Sequence, residues 1–118
     1  MTLADTSVWI DHFRAADSVL AEMLEEGEVC LHNFVLGELA AGSLRKRAQT
    51  VSLLGQMPRV GAATDQEVLH FLEEHRLYGV GLGWVELHLL AAARLNTLRL
   101  YTKDRSLRKV ALRFVPVI

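Results

Sequence analysis

The chain has 118 residues, 51% of them hydrophobic and 23% charged, with a formal net charge of −1. That length suits a single domain over residues 1–118, able to bury roughly two-thirds of its unfolded surface. The composition excludes intrinsic disorder, and no apolar run approaches the roughly 20 residues that cross a bilayer.

The charge is unevenly distributed. Through Leu90 there are 13 Asp/Glu against six Lys/Arg, whereas from Ala91 onward seven Lys/Arg face Asp104 alone. Such polarity fits an anionic partner such as nucleic acid, and equally a solvated basic face or a dock for an acidic protein. Asp5, Asp11 and His12 interrupt the N-terminus where a secretory apolar region would lie, and the single Cys30 sits in an apolar context. A reduced core thiol and a cytoplasmic protein are expected.

In chain order, Leu3-Ala4 predicts a short buried strand ending at Asp5, with Thr6-Ser7 capping a helix that carries Val8, Trp9, Ile10 and Phe13. Asp17 to Glu26 has helical apolar spacing and Gly27 as its stop. Glu28 to His32 reads as a second strand, and Asn33 as the cap of a helix ended by Gly42. Arg45 to Gln56 fits a basic amphipathic helix, and Pro58-Arg-Val a weak strand. Thr64 with Glu67 makes a capping box for a helix to His75. A strongly apolar helix runs from Trp84 to about Leu95, after the glycine-rich Tyr78-Gly-Val-Gly-Leu-Gly. Leu98 to Tyr101 is the next strand, Arg105 to Leu112 a helical turn, and Phe114-Val-Pro-Val a last strand confined to an edge by Pro116. Alternating strands and helices predict an α/β fold, a mostly parallel sheet with helices on both faces. Ligands in such sheets bind beyond the carboxyl ends of the strands.

Four acids stand out in that frame. Asp5 follows the first strand directly, and Asp104 follows Leu98-Arg-Leu-Tyr-Thr-Lys at the same end of the sheet. Glu38 is the only charge between Asn33 and Leu44, and Glu86 is the one acid in the apolar Trp84 helix. Each has an ordinary alternative: Asp5 and Asp104 as helix N-caps, Glu38 and Glu86 as exposed helix residues. Together at one edge they would repel one another unless protonated or neutralised by a cation. Oxygen ligands alone suit Mg²⁺ or Mn²⁺ rather than zinc. The five histidines show no ligand spacing, and Trp9, Met23 and Trp84 fit ordinary core positions.

The ordered segments DTSVWIDHF, VLGELAAG, GLGWVELHLLAAA and LYTKD resemble those of PIN-domain ribonucleases, most of all the VapC-type toxins of prokaryotic toxin–antitoxin pairs. The resemblance spans nearly the whole chain. It implies a sheet of order 3-2-1-4-5 and Mg²⁺-dependent hydrolysis of RNA, transfer or ribosomal RNA being the usual target. It assigns the acidic cluster to Asp5, Glu38, Glu86 and Asp104, with Asp5 and Glu86 holding the metal and Thr6, Ser7 and Thr102 as supporting hydroxyls. Arg45, Lys46, Arg47, Lys103, Arg105 and Arg108 are candidates for binding flanking phosphates. A homodimer and a VapB-type antitoxin are implied as partners, the antitoxin in a groove lined by Trp9, Phe13, Met23 and Phe34. One departure is Glu86, where the toxins usually carry Asp. Its extra methylene moves the carboxylate by about 1.5 Å, leaving as the alternative a weak or inactive module that only binds RNA or an antitoxin.

Overall fold

β1 (Thr2–Ala4) is buried along its whole length, and both of its neighbours run parallel to it. The computed structural model describes residues 1–118. β1 pairs on one side with β2 (Val29–Cys30), Leu3 opposite Cys30, and on the other with β3 (Arg99–Tyr101), Leu3 opposite Leu100. Only isolated parallel bridges lie outside these three strands, Leu31 with Arg59 and Leu100 with Val117. Counted as rudimentary strands, they complete the expected order 3-2-1-4-5. Regular pairing is nevertheless confined to order β2-β1-β3. Pro58 and Pro116 supply carbonyls to Leu31 and Leu100 but have no N–H to continue a ladder.

Seven helices surround the sheet: α1 (Thr6–Arg14), α2 (Ser18–Glu25), α3 (Asn33–Ala41), α4 (Arg47–Gly55), α5 (Asp65–Glu74), α6 (Trp84–Leu95) and α7 (Arg105–Ala111). α1 packs on α3, α5 on α6, and α6 on β3. The hydrophobic side chains of Leu3, Val8, Leu20, Leu31, Val35, Leu89, Leu90, Leu100 and Leu107 meet in one continuous core. Cys30 belongs to it, and burial pushes its thiol pKa up. No helix is long and apolar enough to cross a membrane.

Two caps differ from expectation. Asp5, not Thr6 or Ser7, occupies the N-cap position of α1, and its side chain makes no capping bond. His32, not Asn33, caps α3: its Nδ1 accepts the Phe34 N–H at 2.9 Å. Extended backbone at His32 aims a ring nitrogen where a carboxamide oxygen would usually serve. The capping box of Thr64 and Glu67 forms as predicted.

Asp17 ties three elements together. It caps α2 through the Leu20 N–H (2.9 Å), accepts the Tyr101 hydroxyl (2.7 Å) and pairs with Lys103 Nζ (3.0 Å). Lys103 also reaches Asp11 on α1 at 3.1 Å. Burial would raise the Asp17 pKa, but the bonds from Leu20, Tyr101 and Lys103 outweigh it and hold the carboxyl at about 2. The folded value lies below the unfolded one near 3.8, so the resulting stability is complete above about pH 4 and is lost as pH falls towards 2. Asp17→Asn is expected to lower unfolding free energy at pH 7 by about 1–2 kcal/mol. Urea titrations at pH 7 and pH 3 should show a smaller loss on acidification in the variant than in the natural chain.

Candidate active site at the carboxyl edge of the sheet

Because β1, β2 and β3 are parallel, their carboxyl ends open on one edge, and the residues leaving them converge there. Asp5 leaves β1 with its backbone still in the sheet, its N–H donating to the Tyr101 carbonyl at 2.9 Å. Only 7% of the residue is exposed. Oδ2 accepts the Thr102 hydroxyl at 2.6 Å and the Ser7 hydroxyl at 3.2 Å. Thr102 Oγ1 in turn accepts the Asp104 N–H at 3.0 Å, and Ser7 Oγ accepts the Lys103 N–H at 3.3 Å. No Lys, Arg or His stands within ion-pair distance of Asp5. A nearly buried carboxylate without a cation is costly, and hydroxyl donors compensate only part of that cost.

The other acids are held singly. Glu38, exposed on α3, accepts the Thr6 hydroxyl on Oε1 at 2.7 Å. Asp104 caps α7, its Oδ1 accepting the Leu107 N–H at 3.0 Å, so the capping alternative is realised. Glu86 stands in the first turn of α6 with its carboxylate folded back onto Gly83, Oε2 lying 2.8 Å from where a Cβ on that glycine would sit. The structure therefore links Asp5, Ser7, Thr102 and Asp104 in one hydrogen-bonded chain and ties Glu38 to the neighbouring Thr6. Glu86 has no bond to this chain. The four acids do not draw together into a group of three or more converging ligands.

The donor chemistry nonetheless fits a hard cation. Asp5, Glu38 and Asp104 each have one carboxylate oxygen engaged and the other, Oδ1, Oε2 and Oδ2, without a bond inside the chain. All are oxygens, the ligand type that Mg²⁺ and Mn²⁺ prefer.

Among the candidate phosphate ligands, three are already occupied. Lys103 is held between Asp11 and Asp17, Arg47 donates to the carbonyls of Ala40 and Gly42, and Arg108 reaches the Ile118 carbonyl at 2.6 Å. The side chains of Arg45, Lys46 and Arg105 make no such bonds. Lys46 has a left-handed backbone, with φ +47.

The four residues expected to line one groove stand in different surroundings. Trp9 and Met23 lie in the core, 2% and 6% exposed, because α1 and α2 turn them onto the sheet. Phe34 packs instead on His32 and His88. Only Phe13 lines a groove of about 680 Å³, together with Ile10, Arg14, Glu38, Leu39, Leu44 and Arg45.

The sequence reading overlooked a second cluster. His32 and His88 are 1% and 2% exposed, their rings 6.3 Å apart, and burial followed by the proximity of His88 lowers the His32 pKa. Trp84, expected in the core, is 40% exposed and stacks edgewise on His88. The i, i+4 spacing of Trp84 and His88 signalled a shared helix face; their meeting with Phe34 depends on how α3 and α6 dock.

A small parallel sheet wrapped by helices, with an acid leaving each of β1 and β3, makes this an α/β domain with acids at the carboxyl edge of its sheet. The chain belongs to the PIN-domain family, whose model matches residues 2–112. It is 42% identical to Ribonuclease VapC32 from two strains of Mycobacterium tuberculosis, over 92% of this chain and 88% of the relative. The fold is shared with VapBC2 from Rickettsia felis, solved with a promoter DNA fragment, at TM-score 0.72 and 17% identity over 99% of this chain and 96% of the other. FitAcB from Neisseria gonorrhoeae superimposes with TM-score 0.70 and 19% identity, over 100% and 96%.

A nearly buried carboxylate without a cation should weaken the fold. Asp5→Asn is expected to raise the unfolding free energy in chelator by about 1 kcal/mol. Denaturant unfolding measures this, and a clear loss of stability would show instead that the carboxylate stabilises the fold through the Thr102 and Ser7 hydroxyls.

Proposed function

We propose that this chain is a VapC-type ribonuclease toxin that hydrolyses RNA phosphodiester bonds, with Asp5, Glu38, Glu86 and Asp104 as its acidic centre and Mg²⁺ or Mn²⁺ as cofactor. The 42% identity to a named ribonuclease across nine-tenths of this chain carries the reading, and the buried, cation-free Asp5 supports its chemistry. Asp5 and Glu86 are the proposed metal ligands, with Glu38 and Asp104 acting directly or through water. A divalent cation there supplies Lewis acidity towards phosphate and lowers the pKa of water. Thr102 and Ser7 hold Asp5 by one oxygen and leave the other for that role. Thr6 does the same for Glu38, and the α7 N-terminus for Asp104. Arg45, Lys46 and Arg105 remain as cations for flanking phosphates. In the empty state the acids repel RNA, which makes the cation a requirement for substrate as well as for chemistry.

The folded-back Glu86 favours one alternative, a weak or inactive module that binds RNA or an antitoxin without cutting. The separating experiment is cleavage of end-labelled transfer and ribosomal RNAs by purified, antitoxin-free protein with Mg²⁺ or with EDTA. The expected result is Mg²⁺-dependent cleavage that falls at least about 100-fold, close to 3 kcal/mol of barrier, in Asp5→Asn. Glu86→Asp should stay within about 10-fold of the natural chain and Glu86→Ala should not. Absence of both cleavage and calorimetric Mg²⁺ binding would establish the alternative.

A cognate VapB-type antitoxin, a homodimer and a cytoplasmic location belong to the same proposal. The antitoxin segment is placed in the groove of Ile10, Phe13, Leu39 and Leu44, whose wall includes Glu38. An occupant there lies beside an acid of the centre, which accounts for inhibition. Ile10→Glu and Phe13→Glu, both at exposed positions, should each weaken antitoxin affinity by at least about 10-fold in titration calorimetry, since an unpaired charge is costly to bury. Unchanged affinity would move the antitoxin elsewhere.

A further inference from the structure

Phe34 and Trp84 are large aromatic side chains left 37% and 40% exposed at the carboxyl edge of the sheet. We propose that they form a base-stacking platform for an unpaired nucleotide of the RNA flanking the acidic centre, an inference that rests on the ribonuclease reading. Both rings are anchored from below by one buried imidazole. His88 meets Phe34 at 4.7 Å between centroids and Trp84 at 4.6 Å, both edge to face. His32 fixes the start of α3 by accepting the Phe34 N–H, and its ring lies 5.0 Å from that of Phe34. Asp65 Oδ1 stands 3.1 Å from His88 Nε2. The rings are therefore preorganised, which limits the entropy lost when a ligand stacks on them.

The position suits the substrate. Phe34 is one helical turn, about 5.4 Å, before Glu38 on the same stripe of α3. A base seated on it would belong to a nucleotide next to the acids. Arg59 Nη1 donates to Oδ1 of Asn33, the residue before Phe34, at 3.1 Å. The loop before Trp84 runs past Ser106: a Cβ on Gly81, whose φ is +88, would stand 3.1 Å from Ser106 Oγ, and Arg105 precedes Ser106 in the chain. Aromatic faces for bases with Arg for phosphates is the chemistry of single-stranded nucleic-acid binding. A hydrophobic peptide would instead seek a cavity, and neither ring lines the groove of Ile10, Phe13 and Leu44 or that of Phe71, Ala91 and Leu95.

The test uses the full chain carrying Asp5→Asn, so that RNA is bound and not cut, with a fluorescein-labelled single-stranded adenosine hexamer in Mg²⁺ as probe. Trp84→Ala and Phe34→Ala should each raise Kd about 10-fold, within the range known for loss of one stacked base. Trp84→Phe should bind within about 3-fold of its parent. Trp84→Leu and Phe34→Leu keep a branched apolar side chain without a π face and reduce the packing defect of alanine; they should bind RNA like the alanine variants. In the otherwise natural chain the same changes should raise KM for RNA and leave kcat within about 3-fold. Leucine variants with unchanged Kd and KM would overturn the platform, while RNA cleavage by the natural chain would keep the ribonuclease reading intact. Lost antitoxin affinity with normal RNA binding would reassign the rings to a protein partner. A natural chain that neither cuts nor binds RNA would remove both readings together.

Discussion

The bond from Thr102 to Asp5, 2.6 Å long and buried, is the contact around which the rest of the molecule is arranged. It joins the residues that leave two adjacent parallel strands, and so exists only if β1 and β3 pair in the observed register, Ala4 opposite Tyr101. A carboxylate in that position opposes folding unless donors surround it. Thr102 and Ser7 are those donors, and each is itself fixed by a backbone N–H from the segment 103–104. The loop after β3 is thus shaped to serve one acid.

That loop needs an anchor on its outer side, which Lys103 provides by spanning Asp11 and Asp17. A lysine that looks from sequence like an RNA contact turns out to be a strut between α1, the start of α2 and the exit of β3. The consequence for function is indirect. The strut holds Thr102, Thr102 holds Asp5, and the free oxygens of the acidic residues remain available for the proposed cation. The side chains of Arg45, Lys46 and Arg105 have no such duties.

Glu86 is held differently from the other three acids. Its carboxylate turns back to the N-terminus of its own helix, where the helix dipole favours negative charge, and Gly83 leaves room for it. A shorter Asp could not fold back as far. The longer side chain therefore rests against Gly83, without a bond to Asp5, Glu38 or Asp104.

Helix α6 and the capping box of α5 were legible because their signals are local: apolar periodicity, and a Thr–Glu pair three residues apart. The central strand was legible as an apolar run ended by an acid, and the acids themselves as charges in apolar windows. The edge strands were legible only in outline, since Pro58 and Pro116 left single bridges where longer ladders were expected. What the sequence determined by itself was the family and the α/β alternation, because periodicity, capping and motif order are carried by neighbours along the chain. Only the tertiary structure decided that Trp9 and Met23 are buried, that Lys103 is a strut, that His32 caps a helix, and that Phe34 and Trp84 share a histidine. Each of these depends on which side chain from a distant segment arrives at a given point, and contact across the fold, unlike spacing along it, is set by how the elements pack.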